Sequence, residues 1–169
     1  MLRTIDTVIA FFGRLAAGLI PILVLLIVID VLLRSLFDLT AVWVIEVEWH
    51  LFSVIFLLGA PYALQKNRHV RVDLFYEKFK GKDRAQVDFW GALIFLIPWS
   101  ILLLITSIPY AREAWITGEG SPNPGGLPLF GPIKTIIPFT ALLLLLQGLA
   151  NCIRAYKKSR SGEIKAEEA

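Results

Sequence analysis

Residues 15–33 read LAAGLIPILVLLIVIDVLL, nineteen positions carrying one charge, Asp30. A helix needs about 20 mostly apolar residues to cross a hydrocarbon layer roughly 30 Å thick, so this run is long enough to span. Arg3 and Arg14 precede it, with the apolar Val8 to Phe12 between them. A cleaved export signal has a shorter apolar stretch and then a small-residue cleavage site. This run ends instead in Asp30-Val-Leu-Leu-Arg34, so an uncleaved first span is expected. Pro21 falls in its early part, where neighbouring helices in a bilayer tolerate a kink.

Three more runs of this kind follow. The expected spans are about 15–33, 43–64, 89–110 and 135–153, and the third is expected to continue as helix toward Trp115. Together they take up most of a 169-residue chain that is 56% hydrophobic, above the 45–50% of soluble domains. The expected fold is an all-α integral membrane protein: one four-helix transmembrane domain over residues 1–160, then a charged tail at 161–169. A turn-rich Gly/Pro segment, Gly118 to Pro132 with Ser121-Pro-Asn-Pro-Gly-Gly126, separates spans three and four.

Lys and Arg in short loops stay on the cytoplasmic side. The segment between spans two and three holds Lys66, Arg68, Arg71, Lys78, Lys80, Lys82 and Arg84. The tail holds Arg154, Lys157, Lys158, Arg160 and Lys165. The other two connections, with their flanks, hold only Arg34, Arg112 and Lys134. Both rich segments fall on one side of a four-span arrangement, which predicts both termini in the cytoplasm; a three- or five-span count breaks this agreement. Trp43, Trp49, Trp90 and Trp115 fall near the two interfaces, as aromatic belts do. Trp99 falls mid-span and is expected to pack against another helix.

The costly residues are the polar ones within the spans. Asp30 and Arg34 are four apart and share a helix face, as do Glu46 and His50. A short connection puts the end of span one beside the start of span two, so Arg34 is expected to meet Glu46 or Glu48 near the outer surface. An ionised group in a membrane usually faces protein or water and has a partner. The cluster reads either as an ion or substrate path or as a structural ion pair that fixes helix order or a subunit contact. One cluster at one interface is not the chain of titratable groups that a proton relay needs. Gln147 and Asn151, also four apart, are candidates for bonds to a neighbouring helix.

Val72, Phe75, Tyr76 and Phe79 recur at helical spacing among Asp73, Glu77, Lys78 and Lys80. They predict a short amphipathic surface helix, Leu74 to Lys80, with Asp73 as N-cap and Gly81 as the stop. The same residues could instead pack beneath the bundle. The basic residues Lys66, Arg68, Lys78, Lys80, Lys82 and Arg84 are expected to face anionic lipid headgroups. His50 and His69 are the only histidines. They fall at opposite membrane surfaces, which argues against a haem held by paired histidines. Cys152 is the only cysteine and is expected as a small buried hydrophobe. No nucleophile motif, Cys/His cluster or phosphate-cradling loop is present in the sequence, so an enzyme, a cofactor and a nucleic-acid partner are not expected.

Four stretches resemble one family. They are Leu33-Arg34-Ser-Leu-Phe37, Trp43-Val-Ile-Glu46, and Leu58-Gly59-Ala60-Pro-Tyr62-Ala63-Leu64 followed by His69-Val70-Arg71-Val72-Asp73. The fourth is Pro138 with the Leu-Gln147-Gly-Leu stretch. Together they resemble the small membrane subunit (DctQ-like, or Q subunit) of tripartite ATP-independent periplasmic (TRAP) transporters. The family's second element often has two acids in a row; here Ile45 precedes Glu46 and Glu48 comes two later. The resemblance implies an inner-membrane scaffold for a large elevator-type permease. It also implies that a periplasmic binding protein delivers an organic acid, with sodium coupling in the large subunit. Asp30, Arg34, Trp43, Glu46, Glu48, His50, Gly59, Tyr62, His69, Arg71, Asp73 and Gln147 are then expected at assembly contacts. A stand-alone oligomeric channel or exporter is the competing expectation. Against it, four helices without an inverted repeat cannot easily enclose an anion and also alternate its access.

Overall fold

A computed structural model describes residues 2–66 and 81–160, with the side chains of 81–85 and 158–160 outside the description. The described residues form helices α1 (Leu2–Phe37), α2 (Val42–Gln65), α3 (Gly81–Gly91), α4 (Ile97–Thr117) and α5 (Gly131–Arg160). A π-helical turn, Ala92–Leu96, joins α3 to α4 without a break. Four helices are long and apolar enough to cross a membrane: Leu2–Phe37, Val42–Gln65, Gln86–Thr117 and Gly131–Lys157. Each expected span is found, and each helix overruns it. Apolar runs mark the part of a helix that needs hydrocarbon, whereas hydrogen bonding carries the helix on through polar flanks. Thus α1, at 36 residues, is about 54 Å long.

Local chemistry explains where the helices stop. Asp38 adopts a left-handed conformation at φ 53°, which a short polar side chain tolerates. Its N–H reaches the Arg34 carbonyl, and Leu39 N–H reaches that of Leu33, ending α1. Gly118, at φ 61°, ends α4 in the same left-handed way. The π-turn precedes Pro98, whose ring would collide with the carbonyl of residue 94 in a regular ladder. Widening the turn relieves that collision.

α5 is the central element. It packs on α1, α2, α3, the π-turn and α4. Small residues permit this: Ala141 and Ala150 are fully buried on α5, facing a bundle in which α4 buries Ser100, Ser107, Ala111 and Ala114. In lipid, close backbone approach replaces the hydrophobic drive between helices. The core joins Ile9 and Ala16 of α1, Leu58 of α2 and Leu143 of α5, with Phe12 edge-on to Phe139 at 4.9 Å. Gly13 lets α1 meet α2, because the Tyr62 ring occupies the space of a Cβ there. Cys152 is buried as expected. Trp99 is 59% exposed and turns away from the bundle, correcting the expectation that it packs on another helix; α4 commits its small-residue face to α5 instead.

At one end of the bundle a polar cluster ties three helices. Arg154 Nη2 donates to both Asp6 carboxylate oxygens at 2.5 Å. Gln65 Nε2 donates to the Asp6 carbonyl at 2.8 Å and to its carboxylate at 3.2 Å. Gln147 and Asn151 belong to this cluster differently than expected. Gln147 Nε2 donates to Asn151 Oδ1 within α5 at 2.8 Å, and Arg154 Nη1 donates to that same oxygen at 3.2 Å. Arg154 therefore carries the link to α1, since its longer side chain spans a gap that the amides do not. At the other end Lys134 pairs with Glu119 at 2.5 Å. Lys134 and Arg154 are twenty residues apart on α5, or about 30 Å, which matches a hydrocarbon layer.

Candidate functional site

The second polar layer sits at the end where α1 meets α2 and α4 meets α5. Its centre is Glu46, on the first turns of α2. The Glu46 carboxylate accepts a hydrogen bond from the Ser121 hydroxyl. It also accepts the Leu127 N–H at 2.6 Å and, more distantly, Asn123 Nδ2 at 3.4 Å. The Gly/Pro segment thus folds onto α2 and closes on itself: Ser121 N–H donates to the Leu127 carbonyl at 2.8 Å, and Phe130 N–H to that of Glu119 at 2.7 Å. Gly125, at φ 78°, makes the expected turn. Gly126 has no room for a side chain, because Ser121 and Glu46 occupy that space. The loop leaves Pro122, Asn123, Pro124 and Gly125 exposed at its tip.

The flanks of the loop are anchored too. Lys134 lies 4.1 Å from the Tyr110 ring centroid while bonded to Glu119. Trp115 Nε1 donates to Thr135 Oγ1 at 2.8 Å, and its ring covers Gly131. The His50 ring lies 5.1 Å from that of Phe130, and its Nδ1 sits 2.5 Å from the Glu46 carbonyl. His50 therefore packs beneath the loop. The anchors Ser121, Leu127 and Thr135 were not singled out from sequence. Their signal was faint: a Ser before a Pro-Asn-Pro-Gly turn, with no sign of which acid it would meet.

Of the two acids expected to meet Arg34, Glu46 or Glu48, Glu46 is not its partner. Arg34 pairs within its own helix, with Asp30, because one turn of helix already brings the two together. Glu46 is taken by the loop. Glu48 is the acid that faces the Asp30–Arg34 pair, within electrostatic reach of both. Its Oε1 is buried and has no hydrogen-bond partner among the described residues. Asp30 is 5% exposed, the one buried charge of α1.

The other expected contact residues scatter. Trp43 is 52% exposed. Gly59 has open space where a Cβ would stand, with no neighbouring atom of the described residues within 4 Å of it. Tyr62 is spent on Gly13, inside the bundle, and Lys66 stands 5.5 Å from the Tyr62 ring centroid. Gly81, expected as a stop, is the first residue of α3. His69, Arg71, Asp73, Arg68, Lys78 and Lys80 lie outside the described residues, as does the expected surface helix Leu74 to Lys80. So do the side chains of Lys82 and Arg84. Among the described residues, no group of three or more His, Cys, Asp or Glu is arranged to hold a metal.

This arrangement fixes positions: a polar layer at each end of an apolar bundle, and one loop held in a set shape. The chain matches no curated protein. It does match the family described as tripartite ATP-independent periplasmic transporters, DctQ component, over residues 23–158. That match runs from the middle of α1 to the last turns of α5 and takes in the Glu46 loop, so the chain belongs to the DctQ family of TRAP transporter components, a transporter family rather than an enzyme family.

Proposed function

We propose that this chain is the fixed scaffold of a sodium-coupled TRAP transporter importing an organic acid, packed on a large elevator-type permease and receiving its periplasmic binding protein. The observation that carries this reading is the loop held by Glu46. A segment rich in Gly and Pro would otherwise be mobile, and here a carboxylate and two closing backbone bonds hold it in one shape. A preformed surface binds a soluble partner without the cost of ordering it first. The exposed tip Pro122 to Gly125 is where that partner docks.

The bundle's makeup supports the scaffold part. α1 and α2 bury little of themselves and leave long apolar flanks, and a moving permease domain needs a fixed body to move against. The orientation follows from charge. The basic segment 66–84 and the basic tail adjoin the end marked by Gln65 and Arg154, which is then cytoplasmic in the bacterial inner membrane. Each basic residue there adds about 1 kcal/mol of attraction to anionic lipid.

The test is reconstitution. The chain, the large permease and the binding protein are placed in liposomes under a sodium gradient, and organic-acid uptake is measured with and without this chain. Uptake that requires all three supports the reading. Undiminished uptake without this chain overturns it, and solute movement by this chain alone favours a stand-alone channel.

A further inference from the structure

The outer half of α2 carries an unusual stripe. Glu48, Phe52 and Phe56 stand four residues apart in turn and share one face. Trp49 flanks them and is 68% exposed, with Phe52 at 53% and Phe56 at 65%. The two Phe rings stack with centroids 6.4 Å apart. At the top of the stripe sits Glu48, whose buried Oε1 has no hydrogen-bond partner among the described residues. Beside it lies Asp30, already paired with Arg34.

Counting formal charges, Asp30, Arg34 and Glu48 leave one negative charge uncompensated at the edge of an apolar face. α1 packs on α2 and α5, and α2 on α1 and α5. Among the described residues the basic group within electrostatic reach of Glu48 is Arg34, which is already bonded to Asp30. Hydrocarbon cannot supply another, and an ionised group within a membrane is costly without a partner. Exposed aromatic residues beside a desolvated charge give an incoming helix both packing area and a charge to match.

We propose that this face of α2, with Glu48 at its head, seats a transmembrane helix of the large permease, and that this helix presents a Lys or Arg side chain to Glu48. The proposal rests on the scaffold reading above and adds to it the face, the seat and the chemistry of the contact. The aromatic stripe supplies the packing area, and the Glu48 carboxylate sets the register of the incoming helix, as a buried polar group does in a helical seam.

The experiment uses the complete co-expressed transporter with a tag on this chain, purified in mild detergent. Glu48→Gln keeps the side-chain shape and removes the charge, and is expected to lower recovery of the large permease about tenfold. Glu48→Lys should lower it further, and uptake should return when a Lys or Arg in a permease helix is changed to Glu. In a second arm Glu48 is left intact and Phe52 is replaced by a photo-crosslinking amino acid, which should couple to the large permease. This arm does not depend on whether the Glu48 variants fold. Unchanged recovery with both Glu48 variants overturns the proposal, as does crosslinking from position 52 to lipid alone. If the unsubstituted chain recovers no large permease, the scaffold reading itself fails, an outcome distinct from loss on substitution.

Discussion

Removing the charge of Glu46 should loosen seven residues at once, because Ser121 and Leu127, at the two ends of the closed loop, both depend on that carboxylate. Glu46→Gln keeps the shape but weakens both bonds, since bonds to a charged acceptor are the stronger kind. Amide hydrogen exchange across 121–127 is expected to speed up several-fold while α5 stays unchanged. Equal exchange in the two proteins would show that the loop holds itself. The same substitution should leave recovery of the large permease unchanged, because Glu46 faces the loop, whereas Glu48, at the head of the α2 stripe, lies beside the Asp30–Arg34 pair. Two acids that looked interchangeable by spacing thus have separate neighbours. The tertiary contacts separate them, with the loop taking one and the Asp30–Arg34 pair lying beside the other.

At the scale of elements, α1 meets α2 through a close approach and α5 through a polar tie. Gly13 stands where the Tyr62 ring fills the Cβ position. Gly13→Leu should push the helices apart and cost about 1–3 kcal/mol, the usual range for overpacking; unfolding in detergent followed by helical signal reads it. If the variant is as stable as the parent, the approach is not tight. The polar tie is Asp6 with Arg154, joining the first helix to the last. Both side chains are 37% exposed, so the pair is worth roughly 1 kcal/mol. Asp6→Arg and Arg154→Asp should each lower the unfolding midpoint, and the double reversal should recover most of the loss. A double variant no better than the singles would mean that the ion pair does not carry the tie. Little of this was legible in advance. Asp6 lay before the first apolar run and Arg154 after the last, and only antiparallel packing of α1 against α5 brings residues 148 positions apart into contact.

For the whole molecule, the two polar layers predict which surfaces labels can reach. In a Cys152→Ser background, Asn123→Cys should react with an impermeant thiol reagent added outside intact spheroplasts. Lys157→Cys should react only after the membrane is opened. The reverse pattern would invert the orientation and remove the loop from the periplasm. The number of spans needed no structure, because a run of nineteen positions with a single charge has one cheap place to be, and hydropathy reports that directly. The alternation of basic and non-basic connections was equally readable, since it depends on loop composition alone.

Sequence by itself therefore determined the solvent, the number of spans and the family resemblance, all properties that are local or summed along the chain. It did not determine which charge meets which. Arg34 had three acids in reach by spacing, Asp30, Glu46 and Glu48, and bonds to Asp30, one turn back in its own helix. Trp99 looked like a packing residue from its depth, yet the small residues of α4 set which face met α5 and turned it outward. Such choices depend on the rotation of each helix about its axis. Rotation is fixed by small-residue contacts among all the helices at once, which is information that only the assembled bundle contains.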